Sequence, residues 1–151
     1  MSPTLITFFT AIFPILERGA IPLGIGKFGL PAGEVFLLVT IGNMLPVLPF
    51  LLFLKFGSVW ASEKIPAIKK MLKWVFEHTR KRHGHKFEAF GFFALLLLVA
   101  IPSPITGVWT ASVVAYLIDM PIKKAFFAIL GGVVLANAFV MAATIGVMKI
   151  F

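Results

Sequence analysis

Glu17 and Arg18 are the residues whose type and setting most suggest chemistry: they follow the apolar run Leu5 to Leu16 and precede Gly19-Ala20-Ile21-Pro22-Leu23-Gly24. A charge at bilayer depth costs about 2.5 to 3.5 kcal/mol on insertion scales, so it marks an ion or substrate path or a paired structural site. Arg18 offers a planar fork suited to a phosphate or carboxylate, and Glu17 in a dry cavity can take up and release a proton. Adjacent helical residues point about 100° apart, so each side chain is able to find its own partner. The structural reading is a buried ion pair or cap that holds the bend.

A second polar set lies far along the chain in Pro102-Ser103-Pro104-Ile105-Thr106-Gly107-Val108-Trp109-Thr110. Ser103, Thr106, Thr110 and the Trp109 indole N–H are hydrogen-bonding groups beside main chain that Pro102, Pro104 and Gly107 release from helical geometry. Together the two sets make a charged half-site facing a neutral one. Asn43, in Gly42-Asn43-Met44-Leu45-Pro46, is a further candidate, because Pro46 leaves the Gly42 carbonyl without its helical partner and a kink turns Asn43 inward. Asn137, after Gly131 and Gly132, reads as one polar contact on a close-packing face.

The elements that must position these groups belong to a membrane protein. Hydrophobic residues make up 60% of 151 positions, with a mean hydropathy of +1.02, above the roughly half apolar content of a soluble domain. Gly33 to Leu54 and Ala125 to Val147 offer 22 and 23 residues, and a bilayer needs about 20. Leu5 to Leu16, Ala89 to Ile101 and Val108 to Ile118 are too short to cross alone. Proline and glycine join the short runs, so each broken segment reads as a re-entrant hairpin: Gly19, Pro22 and Gly24 break the first, and Pro102, Pro104 and Gly107 the second.

The predicted fold is therefore all-α, one membrane domain over 1–151, with two inverted repeats of a re-entrant helical hairpin plus a transmembrane helix. Repeat one covers about 5–54, a basic connector 55–86, and repeat two about 87–147. At an offset of ninety, Pro14 matches Pro104, Pro31 Pro121, Phe36 Phe126 and Gly42 Gly132, about what so skewed a composition gives by chance, so the repeat rests on the layout. The competing topology makes both broken segments bent full spans, giving four crossings with the termini on the connector's side. Opposed hairpins put both termini on the far side instead.

The connector carries most of the net charge of +8. Ile68, Met71, Leu72, Val75 and Thr79 recur at helical spacing with Lys69, Lys70, Lys73, Glu77 and Arg80 opposite. This predicts an amphipathic helix on the cytoplasmic face of the plasma membrane, with anionic inner-leaflet lipids as partners rather than nucleic acid. A positive-inside loop without lipid preference accounts for the same charges. Cysteine is absent, so disulfides and thiolate metal sites are excluded. His78, His83 and His85 lack a second ligand cluster, and no phosphate loop, serine elbow or HExxH is present, so neither metal, cofactor nor enzyme is expected. Met1 to Leu16 lacks the basic start and cleavage site of a secretory signal and is expected in the mature protein. So small a fold is expected to need a second copy, making a homo-oligomer.

The runs ERGAIPLGI at 17–25, GNMLP at 42–46 and PSPITGVWTAS at 102–112 resemble the three signature stretches of the small multidrug export protein family of prokaryotic membrane proteins. The likeness covers nearly the whole chain, departing at Ser103, where the family pattern carries an apolar residue, and at Ile105, where it carries glycine. It implies export. The layout is also similar to the DedA-like membrane proteins, whose opposed re-entrant hairpins imply movement of lipids or lipid carriers. The function expected is transport of an amphipathic substrate, foremost an anionic lipid phosphate, with Arg18 receiving the head group and Glu17 coupling protons. Two alternatives stand beside it: efflux of hydrophobic cations with Glu17 as the binding charge, and a non-transporting adaptor recruited through the connector.

Overall fold

The computed structural model describes residues 1–80, 85–103 and 107–151, and all regular structure among them is helical. Pro104 and Thr106 lie outside the described residues. Helix α1, Pro3–Ile12, starts where the Ser2 hydroxyl accepts from the Leu5 N–H and Pro3 takes the first turn. It ends because Phe13 precedes Pro14 and is driven to extended backbone, φ −78° and ψ 133°. After a 3-10 turn at Glu17–Gly19, α2, Ala20–Pro22, continues into a π-turn over Leu23–Lys27. Pro22 and Gly24 therefore sit inside a helical arm, and the chain reverses earlier, around Phe13 to Leu16. Pro22 lacks an N–H only for its own helical bond, which a first-turn position tolerates.

Helices α3, Ala32–Met44, and α4, Val47–Lys64, form one long rod broken where Pro46 interrupts the hydrogen-bond ladder. The rod continues past Leu54, so the first ten residues assigned to the connector are helix of the same rod. Helix α5, Pro66–Arg80, follows after Ile65 turns extended ahead of Pro66. Ile68, Leu72 and Val75 are half-buried on it and Lys69, Lys70, Lys73 and Glu77 are exposed, as the amphipathic pattern predicts, but Met71, expected on the apolar face, is exposed too. Helices α6, His85–Ala100, α7, Val108–Leu117, and α8, Ile122–Ile150, complete the chain. Ala32–Lys64 and Ile122–Ile150 are long and apolar enough to cross a membrane.

Close approaches fix the directions. A Cβ on Gly24 would touch Thr7 and Val35, and one on Gly42 would lie 2.8 Å from the Ala11 Cβ, so the arm after the turn runs back along α1 while α3 runs parallel to α1. A Cβ on Gly132 would lie 2.5 Å from the Val99 Cβ, and one on Gly91 would lie 3.5 Å from Ile118, giving α6, α7 and α8 the same relations. Asn137 donates to the Thr40 hydroxyl at 3.1 Å, and a cavity wall joins Leu51 and Lys55 to Pro121 and Ile122, so α8 runs antiparallel to α3 and α4. The start of α1 and the end of α8 thus share one end of the molecule, and α5 lies at the other.

The same local devices recur. Pro31 and Pro121 cap α3 and α8 with ψ 134° and 137°, and the left-handed residues Gly29 (φ 64°) and Asp119 (φ 56°) each stand two places before them. Gly42 receives the Phe8 carbonyl and the Ala11 Cβ, and Gly132 receives the Leu96 carbonyl and the Val99 Cβ. Small residues at both crossings let the main chains approach, which is how packing drives helix association where the surroundings are as apolar as the side chains. The core is accordingly built from Ala11, Ala111, Ala115, Ala125, Ala128 and Ala136 with valines between them, while Phe53, Phe56, Phe93, Phe127 and Phe139 face outward.

Candidate functional site at the meeting of two broken segments

The irregular main chain after α1 and the irregular main chain between α6 and α7 meet. Helix α7 begins at Gly107, which has no side chain with which to cap it. Glu17 supplies the missing acceptor: it is 2% exposed and its carboxylate takes the Val108 backbone N–H. A Cβ on Gly107 would overlap that carboxylate, so glycine here makes room for a side chain from the other broken segment. Arg18 does the converse, with Nη2 donating at 3.0 Å to the Val99 carbonyl in the last turn of α6. An anion at a helix N-terminus and a cation at a C-terminus both complement the helix dipole. The two charges also face each other, Arg18 Nε lying 3.7 Å from Glu17 Oε1. Each side chain thus finds a separate partner while keeping the other in range, and the pair bridges both ends of the break between α6 and α7.

Among the described residues, Glu17 Oε2 and Trp109 Nε1 are buried at this junction without a hydrogen-bond partner. Leaving such an atom unmade costs about 1–3 kcal/mol, which points to a use for it. The Trp109 ring packs edge-on against Phe50 of α4, centroids 4.8 Å apart. Thr110 is exposed on α7, and Ser103 is half-buried. Ser112, not singled out in the sequence, is fully buried and returns its hydroxyl to the Val108 carbonyl at 2.7 Å.

Asn43 is buried near the junction and, with its amide nitrogen facing the acceptors, donates to the Ala11 carbonyl at 2.8 Å and Val39 at 3.3 Å. It ties the end of α1 to α3, a helix-to-helix bond. Thr40, the partner of Asn137, carries no sequence signal, because a threonine in an apolar helix usually bonds its own backbone.

Near the junction lies an open groove of about 490 Å³ between the second arm of the first broken segment and the latter half of α8, most of whose lining residues are exposed. Pro22, Gly26 and Pro102 form one wall, and Val140, Ala143 and Val147 the other. Among the described residues that line it, the one hydroxyl, on Thr144, is spent on the Val140 carbonyl at 2.8 Å. Apolar residues facing this groove are indistinguishable in sequence from those facing outward, so sequence reasoning missed it. Among the described residues no group of three His, Cys, Asp or Glu is placed to hold a metal.

Residues 17–139 match the family model described as "Putative small multi-drug export protein". No curated protein and no solved structure matches the chain.

Proposed function

The chain belongs to the small multi-drug export protein family, and we propose that it moves hydrophobic compounds, cations favoured, across the plasma membrane through the groove near the Glu17–Arg18 junction. The observation that carries this reading is an open apolar groove of about 490 Å³, walled by Pro22 and Pro102 of the two broken segments, together with the buried Glu17 carboxylate of the first segment, which does not itself line the groove and whose Oε2 atom has no hydrogen-bond partner. An apolar wall takes up a hydrophobic body, and a carboxylate within a dry interior attracts the charge it carries. An anionic lipid phosphate fits less well. Arg18 would have to leave Val99, and among the described residues no wall residue of the groove bears a cation.

The architecture proposed is two inverted repeats, each a re-entrant hairpin followed by a span. Support comes from the recurring Pro31/Pro121 caps, the left-handed residues before them, the matched crossings at Gly42 and Gly132, and the antiparallel run of α8 against α3. Such repeats work by exchanging conformations, so they need not be in the same state at once. On the α8 side the groove stands open; on the α4 side Trp109 packs on Phe50, the residue ninety places before Val140 of the groove wall. Exchange of the two arrangements closes one side as it opens the other. The connector side is cytoplasmic by its excess of lysine and arginine.

Dye export from inverted membrane vesicles tests the proposal. Ala143→Trp, which fills the groove, and Glu17→Gln should each abolish export of a hydrophobic cation, while Arg18→Ala should weaken assembly more than selectivity. Export undiminished in Ala143→Trp removes the groove from the path. Scrambling of a lipid phosphate that requires Arg18 would restore the lipid reading.

A further inference from the structure

Helix α5 carries more apolar surface than α4 covers. Ile68, Leu72 and Val75 form its half-buried line, and Leu72 shares a groove wall with Val59 and Ser62 of α4, so this is the line packed on α4. A second line at the same helical spacing, Ala67, Met71, Trp74 and His78, runs about a quarter-turn away. All four residues are exposed, Met71 by 57% and Trp74 by 61%, and the His78 ring lies 4.5 Å from the Trp74 ring. The sequence pattern puts Met71 on one apolar face with Ile68; packing on α4 divides that face and leaves the aromatic half uncovered.

Where α5 starts decides what lies beside this second line. Exposed apolar residues continue along α4 past Leu54 to Phe56 and Trp60, and the Lys64 ammonium stands 4.6 Å from the Trp60 ring centroid. A tryptophan beside a lysine at the end of an apolar helix sits at headgroup level. Ile65 alone separates α4 from α5, so α5 begins within about 9 Å of that level at 1.5 Å per residue. From 64 to 86 the sequence carries eight lysines and arginines against one acid, Glu77. Lys70 and Lys73, both exposed, stand within one turn of Trp74. The nearest surface of opposite charge is therefore the anionic inner leaflet itself.

We propose that the Met71–Trp74 line docks α5 on anionic phospholipid at the cytoplasmic surface, with the line in the headgroup region and Lys70 and Lys73 on lipid phosphates. Tryptophan suits that depth because its ring is apolar and its indole N–H polar. Two large side chains bury too little apolar area to hold a helix on lipid alone, so the charges decide whether it docks. A zwitterionic surface gives the lysines no net counter-charge. Helix α5 lies at the far end of the molecule from the start of α1, and the proposal does not depend on the transport reading.

The chain has no cysteine, so a spin label at His78→Cys, on the line, or at Glu77→Cys, about 100° around the helix, reports which side of α5 meets lipid. The full chain is reconstituted in vesicles of phosphatidylcholine, alone or mixed with phosphatidylglycerol, and collisions of each label with oxygen and with a water-soluble nickel chelate are compared. With phosphatidylglycerol present, the label at 78 should meet nickel about fivefold less often than the label at 77. In phosphatidylcholine alone that protection should disappear. Lys70→Gln/Lys73→Gln should lower the ratio of docked to undocked helix about tenfold or more, and Met71→Ser/Trp74→Ser should release the label at 78 as well. Glu17→Gln should leave docking unchanged even where export is lost. Equal nickel access at 77 and 78 with phosphatidylglycerol would leave the line to a soluble partner and overturn the proposal. Protection that is as strong in phosphatidylcholine alone, or that survives either double variant, would overturn it too.

Discussion

Replacing Gly107 with alanine isolates the link between the two broken segments. Gly107 has φ −107°, which any residue adopts, so alanine adds no backbone strain. Its Cβ falls on the Glu17 carboxylate, which is 2% exposed. Displacing that carboxylate breaks its bond to the Val108 N–H and uncaps α7. A hydrogen bond to a charged group contributes about 1.5–3 kcal/mol, and Arg18 also loses its nearest anion, so the substitution should cost about 2–4 kcal/mol. For a chain of 151 residues this is a fall in Tm of roughly 5–12 °C, read by intrinsic tryptophan fluorescence in detergent. A double-mutant cycle makes the test specific. In a Glu17→Ala background the same Gly107→Ala change should cost about 1.5 kcal/mol less, since the carboxylate it strikes is gone. Additive losses, or a Gly107→Ala protein as stable as the wild type, would refute the capping contact.

Further outcomes follow from the same geometry. Gly132→Leu should destabilise by about 1–3 kcal/mol because its side chain meets the Val99 Cβ and Leu96 carbonyl, and Gly42→Leu should do the same against Ala11 and Phe8; thermal unfolding reads both. Trp109→Ala removes the packing against Phe50 and should make a cysteine at Phe50 reactive to a soluble maleimide, whereas in the otherwise unaltered protein it should stay protected. The chain has no cysteine, so a Glu17→Cys/Gly107→Cys pair should cross-link within one molecule while neither single variant does. Failure of the pair to react would separate the two segments.

How far the sequence foretold this arrangement differs from residue to residue. Glu17 and Arg18 stood out because a charge in apolar surroundings is costly wherever it lies, and that cost can be read without knowing the fold. Their partners could not be read. The Val99 carbonyl and the Val108 N–H are main-chain groups with no residue signature, and Gly107 reads locally as a helix breaker although its lack of a Cβ serves a distant carboxylate. Pro22 and Gly24 suggested the first reversal, yet Phe13 to Leu16 makes it, because a proline in the opening turn of a helix costs little and Gly24 is needed for contact with Thr7 and Val35. The spans were legible from length and hydropathy, but their ends were not: α4 runs to Lys64 although Phe56, Gly57, Ser58 and Val59 are poor helix formers, and it stops only where Ile65 turns extended ahead of Pro66. The groove against α8 escaped notice because exposed apolar residues such as Ala143 and Val147 have the same chemistry whether they line a groove or a plain helix face.

Everything functional depends on the two broken segments approaching from opposite faces of the bilayer. Single cysteines at Ser2, Ser62 and Phe151, probed with an impermeant thiol reagent in intact cells and again in inverted vesicles, test this directly. Ser2 and Phe151 should label from outside and Ser62 only from the cytoplasmic side. Labelling of all three from one side would replace the opposed arrangement with four crossings and remove the inverted repeat.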